Sequence, residues 1–243
     1  MQFVKDSKNF GGPMPVTFLR NGEAVDPEWD HPEIHATVEW INGQYWLHSD
    51  DPKERPIGIE IDPVLNRHLE YFRKSSIHKE LFARAIGIKS GIRPRVLDLT
   101  GGLLGDSLLF LAAGCEVITL ERHPLVAFLI RSAMLNAQHP LMEKWQFHQA
   151  EALAFLETDF TVDVIFFDPM FEDANHKSSP KKEMRIFRDL LSGDADAEKV
   201  LARARKSGAK RVVVKRPRLS RELSPDVALK MEGKSTRYDV YFS

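Results

Sequence analysis

The chain has 243 residues, 43% hydrophobic and 28% charged, with a formal net charge of −1. That is an ordinary globular composition, long enough for one large core with a small appendage at about 100–200 residues per domain. No stretch approaches the roughly 18 apolar residues of a spanning helix and the opening residues lack a signal-peptide core, so a cytoplasmic protein with no membrane partner is expected. A single cysteine, Cys115, excludes an internal disulfide and any cysteine-based zinc cluster.

Residues 1–56 are rich in turn formers and short alternating segments, which predicts a small antiparallel β region. Strands are expected at Val16–Leu19, Thr37–Ile41 and Gln44–His48, with Asn42-Gly43 forming a type I′ hairpin turn. His31 and His35 stand four apart, but Pro32 argues against a helix there and no further ligands cluster, so they read as surface histidines and no metal is expected.

Residues 57–243 form the main domain in this reading. Ile77, Leu81, Phe82, Ala85 and Ile86 fall on one helical face within Ser76–Ile88. The pattern then alternates. Arg95–Thr100 reads as a strand, Leu103–Ala113 as a helix, Glu116–Glu121 as a strand and Pro124–Ala137 as a helix with proline in its first turn. Strands follow at Trp145–Ala150 and Val162–Asp168, around a short helix near Leu153–Leu156. Helices are expected at Lys181–Leu191 and Ala195–Ser207, then strands at Arg211–Lys215 and Tyr238–Phe242. Alternation of this kind predicts an α/β fold with a doubly wound, mainly parallel sheet.

The run Val162–Phe167 ends at Asp168-Pro169-Met170-Phe171. A continuous apolar run rich in β-branched and aromatic residues marks a strand buried on both faces, and ligands of such sheets bind beyond the strands' carboxyl ends. Asp168 would then face a cleft, although an Asp-Pro pair also starts ordinary turns.

After the first parallel strand comes Asp98-Leu99-Thr100-Gly101-Gly102-Leu103-Leu104-Gly105-Asp106, a glycine turn opening a helix. The spacing does not fit the G-x-G-x-x-G fingerprint, which argues against a nicotinamide oxidoreductase. Glu121 stands nineteen residues beyond Gly102, at the end of the second strand, placed to accept hydrogen bonds from both hydroxyls of a ribose.

Charge is unevenly spread. Between Asn21 and Asp62 there are eleven acidic residues against two basic ones, whereas Arg203–Arg221 carries nine Lys or Arg and no acid. One strongly basic segment suits binding of a polyanion, and a solvated charged face is the alternative.

Asp98-x-Thr100-x-Gly102, Glu121-Arg122-His123-Pro124 and Asp168-Pro169-Met170-Phe171 resemble the class I S-adenosylmethionine-dependent methyltransferases that act on exocyclic amines. More narrowly, Asp168–Phe171, Lys181–Arg185, Lys210–Pro217 and Arg237–Tyr241 resemble the ribosomal RNA small subunit methyltransferase J family, which methylates guanine N2 in 16S ribosomal RNA. The resemblance runs from about Ile57 to the C-terminus and implies a seven-stranded Rossmann-like sheet with S-adenosyl-L-methionine as cofactor. It implies that Asp98, Thr100, Gly102, Gly105, Asp106, Glu121, Arg122, Glu151, Ala152 and Asp168 surround the cofactor. Asp168, Pro169 and Phe171 would act on the amine, and Lys181, Lys182, Arg185, Lys215 and Arg216 would contact RNA, either free 16S ribosomal RNA or the small subunit.

The chain departs from the family pattern in places. Leu104 stands where these enzymes usually carry glycine, Gly105 where they tend to carry a basic residue, and Glu151-Ala152 replaces a small hydroxyl pair. The same motifs also suit an amine methyltransferase acting on adenine N6 or a protein glutamine, and a non-catalytic RNA-binding protein on a methyltransferase scaffold is the reading from another class.

Overall fold

The apolar runs pair into two sheets in the computed structural model, which describes residues 16–20, 23–25, 36–48, 55–169 and 196–242. Five parallel strands make the body of the larger sheet: β5 (Arg95–Asp98), β6 (Glu116–Glu121), β7 (Trp145–Gln149), β8 (Val164–Phe167) and β9 (Arg211–Pro217). A hairpin of β10 (Leu229–Glu232) and β11 (Thr236–Phe242) closes one edge, with β11 antiparallel to β9, so the order is β10-β11-β9-β8-β5-β6-β7. The chain runs outward from β5 through β6 to β7, then returns to the other side of β5 as β8. This reversal opens a crevice between the carboxyl ends of β5 and β8, the switch point where ligands of such sheets bind.

Period-two alternation divides the core between the two faces. Val96, Val117, Val164, Phe166, Val213 and Val240 point to one face with α1 (Ile61–Lys74), α2 (Leu81–Ile86), α3 (Gly105–Ala112) and α4 (Pro124–Met134). Leu97, Ile118, Leu120, Ile165, Phe167, Val212 and Val214 point to the other, with α5 (Ala152–Phe155) and α6 (Ala197–Ala204). Cys115 is buried in the first cluster.

The N-terminal strands β1 (Val16–Arg20), β2 (Glu23–Val25), β3 (Ala36–Ile41) and β4 (Gln44–Leu47) form a second sheet ordered β2-β1-β3-β4. Asn42 and Gly43 take φ of 50° and 88°, the two left-handed positions that a type I′ turn demands. The sheet is mixed rather than wholly antiparallel as expected, because two antiparallel hairpins join edge to edge through a parallel β1–β3 pair. Its apolar face packs on α4: the Phe18 and Tyr45 rings meet Phe128, and the Tyr45 N–H donates to Ser132 Oγ at 2.7 Å.

Among the described elements, α1, β2, β10 and a 3-10 turn at Pro140–Lys144 were not expected from the sequence. In α1, Ile61 and Leu65 are buried and Val64, Leu69 and Phe72 pack beside them, with Asp62 in the first turn and Arg73 and Lys74 in the last. That periodicity, and charges matching the helix dipole, were present in the sequence. Strand β10 carries no such signal, since Leu229, Lys230 and Glu232 are all exposed, as suits an edge strand. The Ser76–Ile88 helix is shorter than expected: a 3-10 turn at Ile77–Lys79 precedes α2, which ends at Gly87 with φ 83°. The segment expected as the Lys181–Leu191 helix, and His31 and His35, lie outside the described residues.

Candidate active site

The glycine turn after β5 is fixed from below by Asp98. Its carboxylate, 1% exposed, accepts from the Thr100 N–H at 3.0 Å, the Thr100 hydroxyl at 3.3 Å and the Ser107 hydroxyl at 2.6 Å. Since Ser107 gives its proton to Asp98, the 2.7 Å contact to Thr119 Oγ1 must be donated by Thr119, and Trp145 Nε1–H donates to Thr119 in turn at 2.9 Å. A directed chain therefore runs through the interior from β7 across β6 and α3 to the end of β5. Burial pushes the Asp98 carboxyl up to about 7, with the Ser107 and Thr100 bonds opposing that rise. Asp98 orders the loop from inside and does not present its carboxylate to a ligand, which corrects its expected place at the cofactor surface.

The loop itself passes close under β6. The Gly101 N–H donates to Leu120 O at 2.7 Å, and a Cβ there would come within 2.8 Å of Thr119 Cγ2 and 2.9 Å of Leu120 O. Gly102 follows with φ 48°, and Leu104, fully buried, caps α3 at φ 64°. A leucine held in the left-handed region costs about 1–2 kcal/mol, a strain that glycine would not carry. Beside it, Gly105 has open space where its Cβ would project.

Glu121 ends β6 with its side chain tied to the same loop. Oε2 accepts from the Gly102 N–H at 2.8 Å and Oε1 from the His123 N–H at 2.7 Å. Burial raises the Glu121 carboxyl, while these two N–H bonds and the Arg122 charge oppose the rise. The Arg122 N–H also reaches this carboxylate, and the acceptor directions left over suit a vicinal diol. Arg122, Glu151 and Ala152 lie at the neighbouring strand ends: Arg122 Nη1 is 4.0 Å from Glu151 Oε2 and 3.9 Å from Asp196 Oδ1, and Ala152 packs partly buried at the start of α5.

Asp168 follows β8 on the far side of the crevice. Its N–H donates to Thr100 Oγ1 at 2.8 Å, so one hydroxyl pins the end of β8 to the loop of β5. Lys215 on β9 bridges two carboxylates, its ammonium 2.7 Å from Asp106 Oδ2 and 2.9 Å from Asp168 Oδ2. Burial would lower the Lys215 ammonium, but the two acids beside it more than reverse this and hold it raised.

The structure thus gathers Thr100, Gly102, Gly105, Asp106, Glu121 and Asp168 around one crevice. It does not bring Lys215 and Arg216 together. Neighbours on a strand face opposite ways, so Lys215 points to the side covered by α3 and Arg216 to the other, where it is 5% exposed. There Arg216 Nε donates to Ser220 Oγ at 3.1 Å and its Nη2 to Arg221 O. Both charges are engaged within the protein, Lys215 by two carboxylates and Arg216 by Ser220 and Arg221. Met170, Phe171, Lys181, Lys182 and Arg185 lie outside the described residues. Sequence reading also missed Ser107 and Thr119; the available signal was a lone hydroxyl within each otherwise apolar run, where a buried partner is needed.

A SAM-dependent methyltransferase family model matches residues 33–243. Curated relatives carry the name ribosomal RNA small subunit methyltransferase J. That of Bdellovibrio bacteriovorus is 40% identical over 195 residues, covering 79% of this chain and 76% of the relative. That of Tolumonas auensis is 37% identical over 205 residues, covering 79% and 80%. The chain belongs to the ribosomal RNA small subunit methyltransferase J family. It is an S-adenosylmethionine-dependent methyltransferase with the class I fold. The crystal structure of a SAM-dependent methyltransferase from Neisseria gonorrhoeae superposes with a TM-score of 0.63 at 27% identity, covering 90% of this chain and 85% of that one.

The residues present fit the cofactor. Glu121 offers a buried acceptor pair for the ribose diol, Gly101 lets the loop pass tightly under it, and Gly105 leaves room at the start of α3. No helix among the described residues is long and apolar enough to cross a membrane, and no group of three metal-ligating side chains occurs among them.

Proposed function

We propose that this enzyme methylates the exocyclic N2 amine of a guanine in 16S ribosomal RNA, in the cytoplasm, on free RNA or the small subunit. The observation that carries this reading is Asp168, held at the carboxyl end of β8 by Thr100 and thereby set against the loop that fits the cofactor. When bound, S-adenosylmethionine supplies an already activated electrophilic methyl group. The protein's task is then to present the amine correctly, since its lone pair is delocalised into the ring.

The Asp168 carboxylate and the Pro169 carbonyl are two acceptors at adjacent positions, suited to the two hydrogens of an exocyclic amine. Accepting both favours a more tetrahedral nitrogen with its lone pair directed at the methyl group, and Asp168 or water takes the proton released on transfer. We assign base stacking to Phe171, a contact worth about 1–3 kcal/mol, and RNA contacts to Lys181, Lys182 and Arg185. Base-resolved modification mapping of 16S ribosomal RNA, with and without the enzyme, tests the proposal. One guanine N2 methyl that depends on the enzyme is expected; a new methyl on adenine N6, or none on the RNA, would refute it.

A further inference from the structure

Lys215 lies in the crevice, yet neither the cofactor nor the amine has required it so far. Its side chain is 26% exposed, and both partner carboxylates sit within 3 Å of its ammonium. Asp106, in the first turn of α3, is anchored by the helix, whereas Asp168 is the residue that must meet the substrate. A cation with two carboxylates in contact is committed to them, and leaving for a phosphate would strand both acids in a half-buried site.

We propose that Lys215 is a positioning residue for methyl transfer, which ties the Asp168 carboxylate to Asp106 and keeps it ionised to accept the amine hydrogens. This rests on the reading of Asp168 given above. The charged and titratable groups around the trio come from several elements. Tyr238 on β11 pairs in register with Lys215 and is pushed up to about 12, by burial first and then by Asp106. Asp98 on β5 and His68 on α1 both feel the charge of Asp106, and the charge of Glu80, before α2, is felt by Tyr238. His68 is held low, by burial first and then by Arg67. Among these groups Lys215 is the cation in direct contact with Asp168. Without it, the two carboxylates would lose the cation that bridges them, and one would hold its proton to higher pH.

The test compares Lys215→Met and Lys215→Arg with the parent in single-turnover methyl transfer to 16S ribosomal RNA at saturating cofactor, over about pH 5 to 9. Lys215→Met should lower the plateau rate about tenfold or more and move the acid limb of the profile up by about one pH unit or more. Lys215→Arg should restore part of both, and the salt dependence of RNA binding should not change. Four results would overturn the proposal. They are a parental rate and acid limb in Lys215→Met, a slower rate with an unmoved limb, no recovery in Lys215→Arg, or a flattened RNA salt slope, which would make Lys215 a phosphate contact. Carbon-13 titration of the Asp168 carboxyl, assigned with Asp168→Asn, reads the same link without substrate. It should move to higher pH in Lys215→Met, so the inference stands or falls separately even if the parent does not methylate this RNA.

Discussion

The two walls of the crevice are held by different kinds of bond. On the β5–β6 side, Glu121 and Asp98 accept from backbone N–H groups of Gly102, His123 and Thr100, and a buried hydroxyl chain locks the loop from beneath. On the β8–β9 side, Asp168 is positioned by one hydroxyl and by ion pairs through a long lysine side chain. The first arrangement is tied by hydrogen bonds within the protein itself, which suits a preorganised cofactor cradle. The second depends on charges that a substrate amine can engage, as a reacting centre requires.

If that division is right, substitutions on the two sides must fail differently. The largest effect is expected at Asp168. Asp168→Ala should slow single-turnover methyl transfer by about 10²–10³, the scale for losing one preorganised polar contact at a reacting centre, while thermal stability stays near parental. Asp168→Asn keeps a carbonyl acceptor and should retain part of the rate. Near-parental transfer by Asp168→Ala would remove the chemistry from this wall.

Next comes Glu121→Ala, which should weaken S-adenosylmethionine binding by about 1.5–3 kcal/mol in titration calorimetry, the range for hydrogen bonds to a charged group. Unchanged affinity would show that the diol is held elsewhere. Beneath the loop, Thr119→Val keeps the side-chain volume but leaves the Trp145 N–H without its acceptor. Urea unfolding should show about 1–3 kcal/mol of lost stability, and no loss would mean that the hydroxyl chain is dispensable.

The smallest effect concerns Leu104, whose φ of 64° separates Gly from Ala at a buried position. Both truncations should destabilise by leaving a cavity, but Leu104→Gly should be the more stable of the two by about 1 kcal/mol, reversing the usual order in a helix. The usual order would mean that Leu104 is not strained.

The cradle was largely legible in the sequence, because its parts are local. A glycine turn after one strand and an acid at the end of the next are fixed by spacing along the chain, and the structure puts Gly102 and Glu121 in hydrogen-bonding contact. The surroundings of Lys215 and Arg216 were not legible, for the opposite reason. Adjacent in sequence, they looked like one basic band, but a strand sends neighbours to opposite faces, and only the fold reveals that one face holds Asp106 and the other Ser220. Asp98 was found but given the wrong job, since nothing in its motif says that Ser107 and Thr100 consume its carboxylate.

The most direct measurement of the divided crevice is a crystal structure with S-adenosylhomocysteine, the product left after transfer. The ribose hydroxyls should lie within about 3 Å of the Glu121 carboxylate oxygens, with the sulfur facing Asp168 across the gap between β5 and β8. A ligand bound with its ribose away from Glu121, or with its sulfur turned from Asp168, would contradict the account.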